Sequence, residues 1–404
     1  MQVLKNFSLL VLSELWVKVI TFVLFIYLGR VLDPEDYGYL SYLMALTSYF
    51  LIFIELGLPK LGTREVAAHP QLSRSFLQAI TQIKLLLFLG VGSFWLIYVL
   101  LVEPPQYKLA GSLMAFYLFT RAIDFQWYLQ AEQRFDLIAK LKVFRAAILL
   151  LSLLVLLFVP SLLVYVLFFN LSAFIPLYWY MHRFGITEHL LDIRNLFTIK
   201  SSRMSLLLKK SLPLATSSFL ILMYYNLDTI LLRYMIDLQA VAAYNAAYKL
   251  VFAFIIARNL LHSVVFPRMA KSKMEWKEDK LFLVLGLLAA FVIVTFAAFF
   301  SEEILQLVYA GKYNASAKVF FILSLTAAVL WINLFFPAFF IAIKREYFYL
   351  KVQLLTTLLN LTANLLLIPR YGIEGAAWAT LIADVVSLLI FGSAYYRIRY
   401  SQKG

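Results

Sequence analysis

The chain has 404 residues, of which 63% are hydrophobic and 14% are charged, and its formal net charge is +14. Soluble globular proteins carry about 45–50% apolar and about 25% charged residues. This composition excludes a soluble enzyme, a disordered chain and a basic nucleic-acid-binding domain, and it predicts a polytopic membrane protein. The absence of cysteine excludes disulfides and thiolate metal sites. We predict no metal site, because no metal-binding spacing relates the four histidines His69, His182, His189 and His262.

Apolar runs long enough to cross a membrane recur along the whole chain. A membrane-spanning helix needs about 20 mostly apolar residues. The first run carries Glu14 and Lys18 and lacks a small-residue cleavage site after it, which predicts a retained span rather than a signal peptide. About twelve spans are predicted, at about 8–30, 39–58, 78–101, 107–130, 143–159, 161–181, 211–232, 241–265, 281–300, 317–342, 350–368 and 374–395.

Basic residues are distributed unevenly between the two sides that these spans define. With a cytoplasmic N-terminus, about 26 of the 36 Lys and Arg residues fall on the inner side and about six on the outer side. The inner count includes Lys84 and Arg145, which we place at helix ends. Four more lie inside spans, namely Lys18, Arg121, Lys249 and Arg258. Because basic residues favour the cytoplasmic side, both termini are predicted to be cytoplasmic.

The predicted spans fall into two sets of six. A basic cytoplasmic linker, 183–210, separates an N-terminal six-helix bundle, 1–182, from a C-terminal bundle, 211–404. The two halves are weakly similar, since the segment 141–143 (LKV) recurs as 350–352. Two halves with an even number of spans insert the same way up, which predicts a pseudo-two-fold axis along the membrane normal and a site where the halves meet.

Ionisable side chains in the middle of spans indicate function, because they are costly in lipid. Lys18 follows Glu14 by one turn, Arg121 precedes Asp124 by three residues, and Lys249 lies deep in the eighth span. The first two pairs are compatible with local ion pairs that only hold helices together. Alternatively, Lys18, Arg121 and Lys249 line a wet cavity and bind an anion such as phosphate.

Further polar residues inside the spans are candidates for two other roles, although helix packing would explain them as well. Candidate sites for a coupling cation are the carboxylates of Asp124, Asp228 and Asp384. Tyrosine and asparagine can stack on and hydrogen-bond to sugars, and the candidates for a sugar path are Tyr224, Asn245 and Tyr248. No Walker A loop, GxSxG motif or metal-spaced acidic cluster is visible, so we predict neither an enzyme nor a bound cofactor.

Five segments carry a resemblance to a known family: Leu28–Gly38 (LGRVLDPEDYG), Glu55–Pro59 (ELGLP), Asn226–Ile230 (NLDTI), Ala243–Lys249 (AYNAAYK) and Tyr371–Ala379 (YGIEGAAWA). With these segments the chain resembles the polysaccharide transporters, or O-antigen (Wzx-like) flippases, of the multidrug/oligosaccharidyl-lipid/polysaccharide exporter superfamily. The segments extend over nearly the whole chain, and each one alone is a loose motif.

The resemblance implies an all-α integral membrane protein of two six-helix bundles, V-shaped around a central cavity and working by alternating access. It implies a polyprenyl-diphosphate-linked oligosaccharide as substrate, moved to the outer leaflet of a bacterial or archaeal plasma membrane by an ion gradient or the membrane potential. Lys18, Arg121 and Lys249 match the family's cavity cations by role and not by motif. Other expected partners are membrane lipids, a polysaccharide polymerase and other assembly proteins, with no nucleic acid.

Three other functions are compatible with a polytopic chain. A cation-coupled multidrug exporter of the same superfamily would need an acidic cavity, whereas the deep cations favour an anion. A membrane glycosyltransferase, polymerase or ligase would normally need a large outer loop with catalytic residues, and none is visible. A non-transporting scaffold would not need several charges in the middle of the membrane.

Overall fold

The structure is a computed structural model that describes the backbone of residues 2–183, 199–271 and 276–401 and the side chains of 12–183, 199–261 and 281–398. Every regular element in these ranges is a helix. This confirms the predicted all-α fold. Most of the predicted linker 183–210 lies outside the described residues, but its last part already belongs to a long helix that begins at Ser201.

Eight helices precede residue 184. Prolines at the first position begin two of them, at Pro34 and Pro105, where the missing N–H would have had no helical partner. The backbone turns between the second and third helices at Leu56 (φ 40°) and Gly57 (φ 73°). The bounds are α1 Gln2–Val31, α2 Pro34–Glu55, α3 Leu58–Ala68, α4 Ser73–Val102, α5 Pro105–Ala122, α6 Gln126–Ala131, α7 Phe135–Phe158 and α8 Leu162–Arg183.

Six more helices follow residue 199. A break between two helices lies at Asn333 and Leu334, with Pro337 in the first turn after it, where proline is tolerated. Gly372 (φ 58°) divides the last helix into two segments. The bounds are α9 Ser201–Met235, α10 Leu238–Lys271, α11 Trp276–Tyr309, α12 Ala317–Ile332, α13 Phe335–Ala342 and α14 Glu346–Ser401.

Ten helical segments in the described part of the chain are long and apolar enough to cross a membrane. One of them is α14, whose 56 residues form two helices joined at Gly372. The 18-residue helix α5 is not among the ten. Large apolar side chains such as Phe158 and Phe299 are 86% and 72% exposed, as a surface that faces lipid requires.

The helices form two compact units. The first comprises residues 1–32 and 43–222, and the second comprises 33–42 and 223–404. In the first unit α1 packs on α7, α7 on α8, α8 on α5 and α5 on α4. In the second unit α12 packs against α10, α11 and α14, and its side chains are mostly buried. The linear division at 182 and 211 stays a prediction.

Two predicted helix starts were too late along the chain. α4 begins at Ser73 rather than near 78, and α7 begins at Phe135 rather than near 143. Both helices therefore contain polar or charged first turns that a search for apolar runs omits. Lys84 and Arg145 were predicted to lie at helix ends. They consequently lie in the interior of α4 and α7.

Candidate functional site

An ion-pair cluster lies in the first unit where α5 ends. Arg121 donates from Nη2 to Glu55 Oε1 at 2.7 Å and from Nη1 to Asp124 Oδ2 at 2.5 Å. The other oxygen of Asp124, Oδ1, accepts the backbone N–H of Gln126 at 2.9 Å, which satisfies one free donor at the start of α6. The Arg121–Asp124 pair, one of two interpretations of the sequence, is formed, and Glu55 joins it.

Lys84 lies beside this cluster and is only 1% exposed. Its Nζ donates to the backbone carbonyl of Asp124 at 3.0 Å. A buried ammonium group needs such oxygens because it has lost its water shell. The turn between α5 and α6 thus collects two basic side chains, Lys84 and Arg121, around the carboxylates of Glu55 and Asp124.

A second ion pair joins α1 to α7. Lys142 Nζ contacts Glu14 Oε1 at 2.5 Å. The pair between Glu14 and Lys18 that the sequence suggested is not formed, because the packed neighbouring helix supplies a better-placed cation. Lys18 is exposed and has no ion pair or hydrogen bond with any described residue.

A cavity of about 270 Å³ lies between α1, α5, α7 and α8, entirely within the first unit. We call it the α1–α7 cavity. A neighbouring cavity of about 230 Å³ shares part of its lining and reaches Lys84 and Glu55. The charged residues that line the α1–α7 cavity are Glu14, Lys18, Arg121, Asp124, Lys142 and Arg145. Arg121 and Lys142 are paired with acids, so Lys18 and Arg145 are the lining cations that no described carboxylate neutralises.

Arg145 is held in a defined orientation. Its guanidinium carbon lies 5.6 Å from the centre of the Phe169 ring, within the distance of a cation–π contact. Its Nε is buried and has no hydrogen-bond partner among the described residues. Arg145 thus keeps N–H groups that are not bonded within the described part of the chain.

The second unit contains a buried hydrogen-bond network around Asp228. Asp228 Oδ2 accepts from the Tyr244 hydroxyl at 2.5 Å and from the Thr380 hydroxyl at 2.9 Å. Its Oδ1 accepts from Asn364 Nδ2 at 2.7 Å. Asn364 Nδ2 also lies 3.2 Å from Asn360 Oδ1, while Asn364 Oδ1 is buried with no partner in the described residues. The network gathers one carboxylate and several neutral oxygens in a buried site.

Asp384 forms a second contact between α9 and α14, in addition to the bond from Thr380 to Asp228. Its Oδ1 accepts from the Tyr224 hydroxyl at 2.5 Å, and its Oδ2 is buried without a partner in the described part of the chain. Tyr224 precedes Asp228 by one turn on α9, and Asp384 follows Thr380 by one turn on α14. The two bonds, Tyr224 to Asp384 and Thr380 to Asp228, therefore run along facing sides of antiparallel helices.

The remaining predicted site residues lie on α10. Asn245 is buried and its Nδ2 donates to Thr229 Oγ1 at 3.1 Å and to the carbonyl of Val241 at 3.0 Å. The Tyr248 ring stacks on Tyr244, with centroids 6.1 Å apart. Lys249 is half-buried on the same helix. No group of three His, Asp or Glu side chains in the described residues could hold a metal ion.

The structure brings three of the predicted residues together in the first unit, since Lys18, Arg121 and Asp124 line one cavity. The others, Tyr224, Asp228, Asn245, Tyr248, Lys249 and Asp384, belong to the second unit. Lys142 and Arg145 also line this cavity and were not predicted to do so. Their spacing of three, which places them on one face of α7, was an available signal, but the late start predicted for α7 concealed it.

Comparison with known proteins identifies the family. A family model described as polysaccharide biosynthesis protein matches residues 3–273. The chain is 22% identical over 405 aligned residues to the capsular polysaccharide biosynthesis protein CapF of Staphylococcus aureus, covering 98% of this chain and 99% of CapF. It is also 23% identical to the probable low-salt glycan biosynthesis flippase Agl15 of Haloferax volcanii, over 45% of this chain and 41% of Agl15.

Solved structures show the same fold. An inward-facing MATE family multidrug resistance transporter of the MOP superfamily matches with a TM-score of 0.74 and 12% identity over 96% of both chains. The lipid II flippase MurJ, in an inward closed conformation, matches with a TM-score of 0.66 and 15% identity over 94% of this chain and 87% of MurJ. The chain belongs to the polysaccharide biosynthesis protein family, and it has the fold of the MATE family transporter and of MurJ.

Proposed function

We propose that this chain moves a polyprenyl-diphosphate-linked oligosaccharide from the cytoplasmic to the outer leaflet of a bacterial or archaeal plasma membrane by alternating access. Its relatives support the substrate class, since the CapF name refers to capsular polysaccharide and the Agl15 name to a glycan flippase. The observation that carries the proposal is the α1–α7 cavity, where Lys18 and Arg145 carry positive charge that no described carboxylate balances. A diphosphate is the part of this substrate that such cations would recognise.

The residues that the sequence suggested are proposed as substrate contacts within each unit separately. In the first unit Lys18 is the proposed phosphate contact, and Arg121 would join it only by releasing the carboxylates that both of its terminal nitrogens bind here. In the second unit Lys249 is a further proposed phosphate contact, and the proposed sugar contacts are Tyr224, Asn245 and Tyr248. Of these, the Tyr224 hydroxyl and the Asn245 amide nitrogen make internal bonds here, so they would contact sugar only in another conformation.

We further propose that the Asp228 network binds the coupling cation, a proton or a metal cation. A buried carboxylate surrounded by neutral oxygens favours a cation that neutralises it, because an isolated charge in a dry site is costly. Asp384, with one unbonded oxygen, is a second proposed site in the same unit. Asp124 is the weakest of the three candidates because Arg121 already neutralises it.

The experiment that tests the function is leaflet exchange of a fluorescent polyprenyl-diphosphate oligosaccharide in proteoliposomes. Wild type is expected to exchange the substrate faster under an ion gradient or a membrane potential. Lys249→Ala is expected to lower the rate by about tenfold or more, since a lost charge-assisted hydrogen bond is worth about 1.5–3 kcal/mol. Asp228→Asn is expected to remove the response to the gradient while slow basal exchange remains.

The control is Lys351→Ala, which removes an exposed lysine of α14 that we assign to no site and should exchange substrate like wild type. A cationic fluorescent dye serves as the competing substrate in parallel vesicles. Export of the dye without exchange of the oligosaccharide by wild type would replace the flippase with the alternative, a cation-coupled multidrug exporter. Equal rates for wild type and Lys249→Ala would remove Lys249 from the site.

A further inference from the structure

We infer that Arg145, together with Lys18, forms the diphosphate-binding site of the first unit, and that Arg121 serves to position the α5–α6 turn. This inference rests on the proposed function, because it names the group of the proposed substrate that the α1–α7 cavity binds. It adds Arg145, on α7, as the residue that determines specificity for a diphosphate.

Two of the cations that line the cavity are available to an incoming anion. Of the four basic residues that line the cavity, Lys142 contacts Glu14 at 2.5 Å, and Arg121 donates to Glu55 and Asp124. A substrate phosphate would have to displace a carboxylate from either of them. Lys18 and Arg145 have no described carboxylate partner to lose, so their full charge acts on an incoming anion.

The hydroxyl groups of the cavity wall already donate to the backbone. The Thr120 hydroxyl donates to the carbonyl of Phe116 at 2.9 Å, and the Ser172 hydroxyl donates to the carbonyl of Phe169 at 2.7 Å. Each hydroxyl has a single proton to donate, and in both it is already committed to the backbone. Phosphate oxygens in this cavity would therefore be bound by the two basic side chains and by the side-chain amide of Gln126, which also lines it.

Arg145 has an unsatisfied hydrogen-bond donor beside the cavity. Its guanidinium carbon lies 5.6 Å from the centre of the Phe169 ring, and its buried Nε–H has no partner among the described residues. A buried donor without a partner is unfavourable. A phosphate oxygen that accepts from Nε while a second oxygen accepts from Nη would satisfy it, and arginine binds phosphate in this two-point manner. Lysine cannot reproduce that geometry, since its ammonium acts as a point charge.

The test measures binding to the purified full-length protein in nanodiscs of phosphatidylcholine. The probes are inorganic pyrophosphate, farnesyl diphosphate and, as a third arm, competition by phosphatidylglycerol included in the nanodisc. Pyrophosphate binding is expected to fall about tenfold or more in Lys18→Gln and in Arg145→Gln, and by less in Arg145→Lys, which keeps the charge. Farnesyl diphosphate binding should fall in the same order, with little competition from phosphatidylglycerol.

Lys140→Gln is the matched control, because Lys140 is an exposed lysine on the same helix that does not line the cavity. It should bind pyrophosphate like wild type. Wild-type affinity in a folded Arg145→Gln protein, or no binding of either diphosphate by wild type, would overturn the inference. If Arg145→Gln does not fold, Arg145→Lys decides the question, and unchanged affinity in that variant would count against the two-point geometry.

The leaflet-exchange experiment separates this inference from the proposed function. Diphosphate binding that depends on Arg145 without any exchange of the lipid-linked oligosaccharide would support the site and refute the flippase. Normal exchange by Arg145→Gln would refute the site and leave the flippase intact.

Discussion

Four charged side chains around the α5–α6 turn stabilise one another in a place where none would be stable alone. Arg121 and Lys84 bring two positive charges, and Glu55 and Asp124 bring two negative charges. Glu55 and Arg121 are only about one quarter exposed. Removing a single member of such a group leaves an uncompensated charge, which costs far more than the intact pair contributes.

Arg121 is expected to stabilise the folded protein. Arg121→Gln should lower the free energy of unfolding by about 2–4 kcal/mol, because two partly buried carboxylates lose their cation. The double variant Arg121→Gln/Glu55→Gln should lose less than the sum of the two single variants, since residues in one ion-pair network are coupled. Denaturation of the purified protein, followed by tryptophan fluorescence, measures all three.

Lys140→Gln is the control for Arg121 and should change the stability by no more than about 0.5 kcal/mol, as exposed positions usually do. If Arg121→Gln unfolds like wild type while pyrophosphate binding falls, Arg121 is a substrate ligand and not a positioning residue. That result would restore the interpretation of Arg121 as a phosphate-binding side chain.

Gly38 lets the start of α2 approach α10 closely in the second unit. A Cβ atom on Gly38 would lie 1.9 Å from the carbonyl oxygen of Leu238 and 3.3 Å from the backbone nitrogen of Ala242. The start of α2 thus contacts the backbone of α10 directly. Small residues at such crossings are common in membrane proteins, where van der Waals packing rather than the hydrophobic effect joins helices.

The stabilities of alanine variants at two helical glycines, Gly38 and Gly90, test how much this close approach matters. Gly38→Ala should destabilise the protein by about 1–3 kcal/mol, because α2 and α10 must separate to accept one carbon atom. Gly90→Ala, in α4, is the matched control, since an added Cβ there meets nothing within 4 Å. It should be neutral or stabilise the protein by about 0.5–1 kcal/mol. Equal thermal stability of the two variants would show that the Gly38 contact does not limit packing.

Local sequence signals predicted the helices better than they predicted the ion pairs. The breaks at Gly57, Pro337 and Gly372 follow from backbone chemistry that each residue carries by itself. The partner of Glu14, by contrast, depends on which helix packs beside α1, and neighbouring positions along the chain pointed to Lys18 instead of Lys142. The spacing of Lys142 and Arg145 on one face of α7 was a local signal, but the cavity that gives it meaning is formed by four helices and cannot be predicted from neighbouring positions.

The two units contain different kinds of charged site. The α1–α7 cavity of the first unit has two lining cations, Lys18 and Arg145, that no described carboxylate neutralises, whereas the second unit contains the buried network around Asp228. Under the proposed function the first site would bind the substrate and the second the coupling cation, and coupling between them requires that the two ligands favour different conformations.

The last prediction concerns α5, which carries Arg121 but is not apolar enough to be recognised as a span by composition. Its 18 residues would measure about 27 Å, close to the thickness of the hydrocarbon core. If α5 crosses the membrane, seven spans separate residue 71 from residue 315, and these positions face opposite sides. If it does not, six spans separate them and both face the same side.

The natural absence of cysteine makes labelling of single introduced cysteines free of background. Gln71→Cys and Ala315→Cys replace exposed residues. In intact cells a membrane-impermeant maleimide should label Ala315→Cys alone, and Gln71→Cys should react only after permeabilisation, as cytoplasmic termini require. Labelling of both variants in intact cells, or of neither, would place α5 outside the membrane. Labelling of Gln71→Cys alone would keep α5 as a span but reverse the predicted orientation.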